Sequence, residues 1–261
     1  MNNFDFYNPV KILFGKGKIA ELKKHIPVGA KILITFGGGS IKKNGVYEQV
    51  IAALEGFNVQ EFGGIEPNPR FETLMKAVEL VKAEKIDFLL AVGGGSVLDG
   101  TKFIAAASCY KGEDAWDIPA KHAKIESAID FGAVLTLAAT GSEMNSGGVV
   151  TKAATKEKLA FGSPLLFPKF SVLDPEATYS LPKRQIANGV ADAFVHVMEQ
   201  YLTYPVNSPV QDRFSESLLV TLIEEGTKAY DSETPNYDDY GFKWLDWCWS
   251  SKRLGYTYDW S

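Results

Sequence analysis

The sequence predicts an α/β fold: a Rossmann-like parallel sheet domain followed by the beginning of an all-helical domain. Three observations lead there. Short apolar runs rich in β-branched residues alternate with stretches of helical period up to about residue 180. Two of those runs end in the same Gly-Gly-Gly-Ser tetrapeptide. Beyond that point only helical period remains.

Lys31–Phe36 (KILITF) reads as a buried strand. It runs into Gly37-Gly38-Gly39-Ser40 and then a helix whose Val46, Val50, Ile51 and Leu54 share a face. Residues 59–62 form the next strand. The turn Glu66-Pro67-Asn68-Pro69 precedes a helix carrying Leu74, Val78 and Val81, which leads to a strand at 87–92 (DFLLAV). Gly93-Gly94-Gly95-Ser96 follows, then a helix through Leu98, Phe103, Ile104 and Ala107. Residues 132–137 (GAVLTL) make a further strand, and the Ser and Glu of Thr140-Gly141-Ser142-Glu143 suit the start of a helix. The character changes near Leu181-Pro182. From there Ile186, Val190, Phe194, Val197 and Tyr201, then Phe214, Leu218, Leu219 and Ile223, keep helical spacing. The expected parts are an α/β domain at 1–180, the start of a helical domain at 181–236, and an aberrant tail at 237–261.

Composition narrows the function classes. A chain of 261 residues with 46% hydrophobic and 23% charged residues can bury an ordinary globular core. Acids outnumber bases 32 to 27, and no Lys/Arg cluster offers a footprint for nucleic acid. No apolar run approaches the ~20 residues of a membrane span. Met1-Asn2-Asn3-Phe4-Asp5 lacks the basic and apolar regions of a signal peptide. Cys109 and Cys248 have no metal-like spacing and read as two unpaired thiols in a cytoplasmic protein.

A strand that ends in glycines and runs into a helix turns backbone N–H groups toward the positive end of the helix dipole, with no Cβ in the way of a phosphate. One such turn can be a mere connection. Two of them on successive strands, with the 136–142 turn, can face a single crevice at the carboxyl ends of a parallel sheet. That is the arrangement a dinucleotide needs.

The segments FGGIEPNP, GGGSVLDGTK, TLAATGSE and ANGVADAFVHVMEQY, in this order and spacing, resemble the iron-containing alcohol dehydrogenases, most closely the NADPH-dependent aldehyde reductase or butanol dehydrogenase type. The resemblance runs over about residues 4–236. It makes 1–180 an NADP(H)-binding domain, with Gly94, Gly95 and Ser96 at the pyrophosphate and Asp99 against the nicotinamide side. Thr136, Leu137, Thr140 and Asn145 would line the cofactor, and Lys158 and Tyr179 would close over it. Read without the resemblance, Asp99 is equally an acid complementing a helix dipole.

The first turn, with Gly38, Gly39 and Ser40, bears on cofactor choice. NAD-preferring relatives carry an acid there, which accepts bonds from the adenosine ribose and repels a 2′-phosphate. This chain has Gly39, with Ser40 beside it and Lys42 and Lys43 close by, which favours NADP(H). Taken singly, each lysine reads as part of a solvated helix face.

Asp192 and His196 stand four apart on a helix and share a face. Such a pair is either a surface ion pair or half of a cation site. The resemblance makes them the first two metal ligands, suited to Fe2+ or Zn2+. A catalytic metal needs at least three protein ligands, and His25 and His122 fall outside the motif. The family's further histidines come from a later segment, so the resemblance implies a C-terminally truncated chain with an incomplete metal site. The implied activity is reduction of a small aldehyde to its alcohol by NADPH at a divalent metal, impaired by the truncation. The alternatives are an NADP(H)-binding fragment without turnover and a glycerol-dehydrogenase-like or dehydroquinate-synthase-like enzyme. Relatives pair through N-terminal strands, and the 6–14 segment is intact, which keeps a homodimer open.

Four of the five tryptophans, Trp244, Trp247, Trp249 and Trp260, crowd the tail. Trp has the single codon TGG, so reading one base later turns each into Gly. That frame permits strings that resemble the missing family segment, including a histidine. The tail therefore reads either as the product of a small deletion and frameshift between residues 236 and 242, or as an authentic aromatic-rich terminus.

Overall fold

In the computed structural model, residues 7–203 and 207–231 are described. Six runs of Ile, Leu, Val and Phe form one sheet: β1 (Lys11–Phe14), β2 (Lys31–Phe36), β3 (Asn58–Phe62), β4 (Phe88–Gly93), β5 (Asp130–Leu135) and β8 (Phe170–Leu173). β6 (Gly147–Lys152) and β7 (Glu157–Gly162) form a separate antiparallel hairpin. The helices are α1 (Val46–Ala53), α2 (Phe71–Glu84), α3 (Gly95–Cys109), α4 (Asp117–Ala120), α5 (Lys183–Tyr201) and α6 (Pro209–Asp231). All pairings in the large sheet are parallel, in the order β1-β8-β5-β4-β2-β3.

Successive strand side chains point to opposite faces, and both faces are covered, so the strands read as near-continuous apolar runs. On one face Leu33, Leu89, Ala91 and Phe131 pack with Leu74 and Val78 of α2 and Leu98, Phe103 and Ile104 of α3. On the other, Ile32, Ile34, Phe88, Leu90 and Val92 pack with Val46 and Val50 of α1, Leu54 just beyond it, and Ile19 and Leu22 of a 3-10 segment. Each fully buried Leu, Ile or Phe contributes roughly 1.5–3 kcal/mol relative to exposure. Truncating Phe103, at 0% exposure, to Ala is expected to cost about 3–5 kcal/mol.

The chain leaves β2 through α1 on one face to reach β3, then returns through α2 on the other face to β4, passing β2. β2 and β4 thus become neighbours, in register from Ile32↔Phe88 to Phe36↔Val92. The helices that follow them, α1 and α3, lie on opposite faces. This is a topological switch point, where parallel α/β sheets open a crevice at their carboxyl ends. Under it, the buried hydroxyls of Thr35 on β2 and Thr101 on α3 meet at 2.6 Å.

Several expectations are corrected. Residues 140–143 start no α-helix; Gly141, at φ +78°, leads only into a 3-10 turn, Ser142–Met144. Ser142 makes no cap because its hydroxyl is committed to Asp99 and Lys102. Gly147 and Gly148 then open the unpredicted β6–β7 hairpin, where β-branched Val149, Val150 and Thr151 suit a strand. β5 starts and ends two residues earlier than expected, at the Gly93↔Leu135 pair. Thr136 and Leu137 therefore sit in the turn beyond it. Ile51 is exposed rather than on the packed face of α1.

From β8 the chain passes through a 3-10 turn, Pro175–Thr178, to α5. α5 and α6 pack closely; a Cβ on Gly226 would come 2.7 Å from Val190. Ala193, Val197, Leu218 and Leu222 join the core on the α2–α3 face. Among the described residues, no helix is long and apolar enough to cross a membrane. The 237–261 tail, with Cys248, lies outside the described residues.

Candidate cofactor crevice and cation pair

The two glycine corners sit side by side at the carboxyl edge, but they are built differently. A Cβ added to Gly38 or Gly39 would meet nothing within 4 Å, so this corner borders open space. Gly39 holds φ +87°, where a Cβ is strained. The chain then tightens into a 3-10 turn, Ser40–Lys42, and not directly into an α-helix. Only the second corner therefore meets the positive end of an α-helix; the first does not.

At the second corner, Gly94 is extended and α3 begins at Gly95. The first N–H groups of a 15-residue helix point outward here with no partner inside the helix. Glycine is required because the 136–140 turn presses on the corner. A Cβ on Gly94 would lie 3.2 Å from Leu137, and one on Gly95 would collide with the Thr140 side chain. Thr136 is tied in by its N–H to the Gly93 carbonyl at 3.1 Å. The Ser96 hydroxyl accepts from the Asn68 N–H at 3.3 Å, and Asn68 Oδ1 accepts from Lys158 Nζ at 2.7 Å. One rim is thereby linked to β7.

Asp99 and Asn145 belong to a polar network beneath the corner. Lys102, fully buried on α3, donates to Ser142 Oγ at 2.9 Å, Asn145 Oδ1 at 2.7 Å and the Gly147 carbonyl at 2.6 Å. The Ser142 hydroxyl in turn donates to Asp99 Oδ1 at 2.6 Å, and the Val149 N–H donates to Asp99 Oδ2 at 3.1 Å. Burial pushes the Asp99 carboxyl above the usual carboxylate range, against the opposing pull of Lys102, Ser142 and the Val149 N–H. Asp99 lies past the first turn of α3, which has no acid of its own, so the dipole-complementing reading does not describe it. Asn145 spends its carbonyl oxygen on Lys102 and on the Gly147 N–H, which leaves its amide end as the donor.

Tyr179 follows the Pro175–Thr178 turn, and this segment is joined to the first corner by the Asn44 amide donating to Ser180 Oγ at 2.8 Å. Burial raises its phenol, with Glu176 and Asp174 adding to the effect. Beside the first corner, Lys42 pairs with Glu61 at 2.6 Å, and the Tyr47 hydroxyl donates to the same carboxylate. Burial alone would raise Glu61, but the bonds from Lys42 and Tyr47 outweigh it and hold the carboxyl below its ordinary value.

Asp192 and His196 share a face of α5, with Oδ2 and Nε2 3.7 Å apart and side chains 44% and 45% exposed. The structure brings them together with each other. Among the described residues no group of three or more His, Cys, Asp or Glu is arranged to hold a metal ion. A separate open cavity of about 580 Å³, lined by Asp87, Ser108 and Asp130 among others, lies at the opposite, amino edge of the sheet, beside the C-terminal ends of α2 and α3.

Sequence reasoning gave Lys102, Ser142, Asn68, Tyr47 and Glu61 no role in the site. For Lys102 a signal existed. It sits among Phe103, Ile104 and three alanines on a helix packed all round, and a lysine in such a setting must be hydrogen-bonded.

A switch-point sheet with a glycine corner feeding a long helix defines a Rossmann-like α/β protein with its ligand crevice at the carboxyl edge. Residues 9–175 match the sequence profile described as iron-containing alcohol dehydrogenase, and the chain belongs to that family. It is 60% identical over 240 residues to the NADPH-dependent aldehyde reductase YqhD of Escherichia coli, an alignment covering 91% of this chain and 62% of that protein. With the probable NADH-dependent butanol dehydrogenase 1 of Bacillus subtilis it shares 52% over 241 residues, covering 91% and 62%. The chain thus spans about 62% of the length of these curated relatives. A crystal structure of E. coli YqhD superposes with a TM-score of 0.91 at 54% identity, covering 98% of this chain and 65% of that one. The NADH-dependent butanol dehydrogenase A of Thermotoga maritima gives 0.87 at 40% identity, covering 96% and 62%.

Proposed function

We propose that this chain carries the NADP(H)-holding portion of an alcohol dehydrogenase that reduces small aldehydes to alcohols. One observation carries the reading: both glycine corners occupy the carboxyl edge of adjacent strands at the switch point. The open space at Gly38 and Gly39, and the glycine-only contact between Gly95 and Thr140, fit a dinucleotide backbone lying across them.

In this proposal the N–H groups of Gly94, Gly95 and Ser96 hold the pyrophosphate at the positive end of α3. Gly38, Gly39 and Ser40 receive the adenosine ribose. Asp99, Thr136, Leu137, Thr140 and Asn145 line the nicotinamide side, kept in position by Lys102 and Ser142. Lys158 and Tyr179 close the crevice from either rim. The bound NADPH supplies a hydride for the carbonyl carbon. NADPH over NADH is favoured because position 39 itself is glycine and not an acid, with Ser40 and Lys42 beside it. The family shared by the relatives does not decide this choice, since their names include both nucleotides.

Asp192 and His196 are the proposed donors to Fe2+ or Zn2+. Two donors do not make a catalytic set, and the described residues supply no third. That same observation favours a second reading, an NADP(H)-holding protein without turnover. The relatives' names lend no support to a glycerol-dehydrogenase-like enzyme. A cytoplasmic setting and a homodimer through β1 are parts of the same proposal. Fluorescence titration with NADPH, coupled to a steady-state assay on butyraldehyde with and without added Zn2+, tests it. Saturable binding with metal-dependent turnover supports the first reading, binding alone supports the second, and no binding refutes both.

A further inference from the structure

The first glycine corner carries a charged cluster of which the cofactor reading uses only the lysine and not its partners Glu61 and Tyr47. Lys42 ends the 3-10 turn after Gly39, to whose carbonyl its own N–H donates at 3.1 Å. Its ammonium lies 2.6 Å from Glu61 Oε2, 5.0 Å from the centre of the Phe36 ring and 4.5 Å from that of Tyr47. Cations hold such positions over aromatic faces. Glu61 stands opposite Ile34, one residue before the end of β3, the edge strand beside β2. Its other oxygen accepts the Tyr47 hydroxyl. Lys42 keeps 44% of its side chain exposed and Glu61 33%, so the pair is open to a ligand at the corner.

In dinucleotide folds an acid near the ribose accepts the ribose hydroxyls and repels a 2′-phosphate. Glu61 brings an acid to the first corner through its ion pair with Lys42, from the neighbouring strand and not from the corner itself. Its charge is met by one cation and one phenol. A dianionic phosphate arriving at the corner competes with Glu61 for Lys42, while Tyr47 continues to satisfy the carboxylate.

We infer that the Lys42–Glu61–Tyr47 cluster sets the preference for phosphorylated over unphosphorylated nicotinamide dinucleotide, with Lys42 shared between Glu61 and the 2′-phosphate. The inference rests on the reading that the first corner receives the adenosine ribose. Lys42 is the attracting group, Glu61 both stores it at the corner and tempers it, and the rings of Phe36 and Tyr47 limit where the ammonium can go. Glu61 and Lys42 are specificity determinants that act on the 2′ position alone.

The test is a set of fluorescence titrations with NADPH and NADH on the wild type, Lys42→Ala, Lys42→Arg and Glu61→Gln, with thermal unfolding to verify that each is folded. Lys42→Ala is expected to raise the Kd for NADPH about tenfold and that for NADH less than about threefold, as loss of one charge-assisted phosphate contact implies. Lys42→Arg keeps the preference. Glu61→Gln, which keeps the side-chain shape and the Tyr47 contact, shifts the preference further toward NADPH, and raising the salt concentration narrows the NADPH–NADH difference. Equal weakening of both nucleotides by Lys42→Ala, or no change in either, overturns the inference while leaving the cofactor reading intact. A folded wild type that binds neither nucleotide overturns the cofactor reading and the inference with it.

Discussion

Replacing Lys102 with Met keeps the length of the side chain and removes its charge. The ammonium makes three hydrogen bonds of 2.6–2.9 Å from a site with 0% exposure. Without it, the Gly147 carbonyl loses this donor, Asn145 keeps only the Gly147 N–H, and the Asp99 carboxylate loses its main opposing positive charge. A buried acceptor left unsatisfied costs about 1–3 kcal/mol, and a buried charge pair broken on one side about 3–5 kcal/mol. Asp99 is reached through Ser142 and can take up a proton, so the lower end applies. We expect a loss of about 3 kcal/mol, or roughly 6–12 °C in Tm for a chain of this size. Urea denaturation of the wild type, Lys102→Met, Asp99→Asn and the double variant measures the coupling, which should exceed about 1 kcal/mol because the two side chains share Ser142. Lys102→Met should also weaken NADPH binding, since Asn145 and Asp99 lose their fixed positions. If the two substitutions add to within about 0.5 kcal/mol, the network does not exist as described.

Gly38→Ala is expected to leave stability within about 0.5 kcal/mol, because its methyl meets nothing within 4 Å, yet to weaken NADPH binding measurably; unchanged affinity would remove this corner from the site. Gly95→Ala should instead cost about 1–3 kcal/mol through the collision with Thr140, and Thr140→Ala should recover part of that loss in chemical denaturation. The folded-state pKa of Asp99 is raised by burial, so its contribution is present below the ordinary aspartate range of about 3.9 and is lost as pH rises through the raised value. The stability of the wild type relative to Asp99→Asn is therefore expected to fall as pH rises above the ordinary aspartate range, and a pH-independent difference contradicts the burial argument. Purified protein should carry well under one equivalent of zinc or iron by elemental analysis. Stoichiometric metal lost on His196→Ala would mean that residues beyond Asp192 and His196 complete the set.

The strands buried on both faces were legible because apolar, β-branched runs with no polar alternation have few other places to go in a chain of this composition. The glycine corners were legible because a run of three glycines after a buried strand leaves the backbone free of Cβ atoms at the strand's end. The β6–β7 hairpin was not. Five of the six residues of β7 are not fully buried, so its sequence, EKLAFG, carries no strong apolar period. The helix expected at 140–143 failed because Ser142 has two possible employers, and only the fold brings Lys102 and Asp99 within its reach. Lys42 illustrates the same limit. Near neighbours in sequence mark it as a surface lysine, while its ion pair comes from a strand 19 positions away. The proposed frameshift and the Trp-rich tail concern residues outside those described.

The hydroxyl clasp between Thr35 and Thr101 joins the strand that ends in one corner to the helix that begins at the other. It fixes their separation in the free protein, like a ruler cut to length before anything is measured against it. A molecule spanning both corners then meets a gap already at its final width, and little binding energy is diverted into ordering the frame.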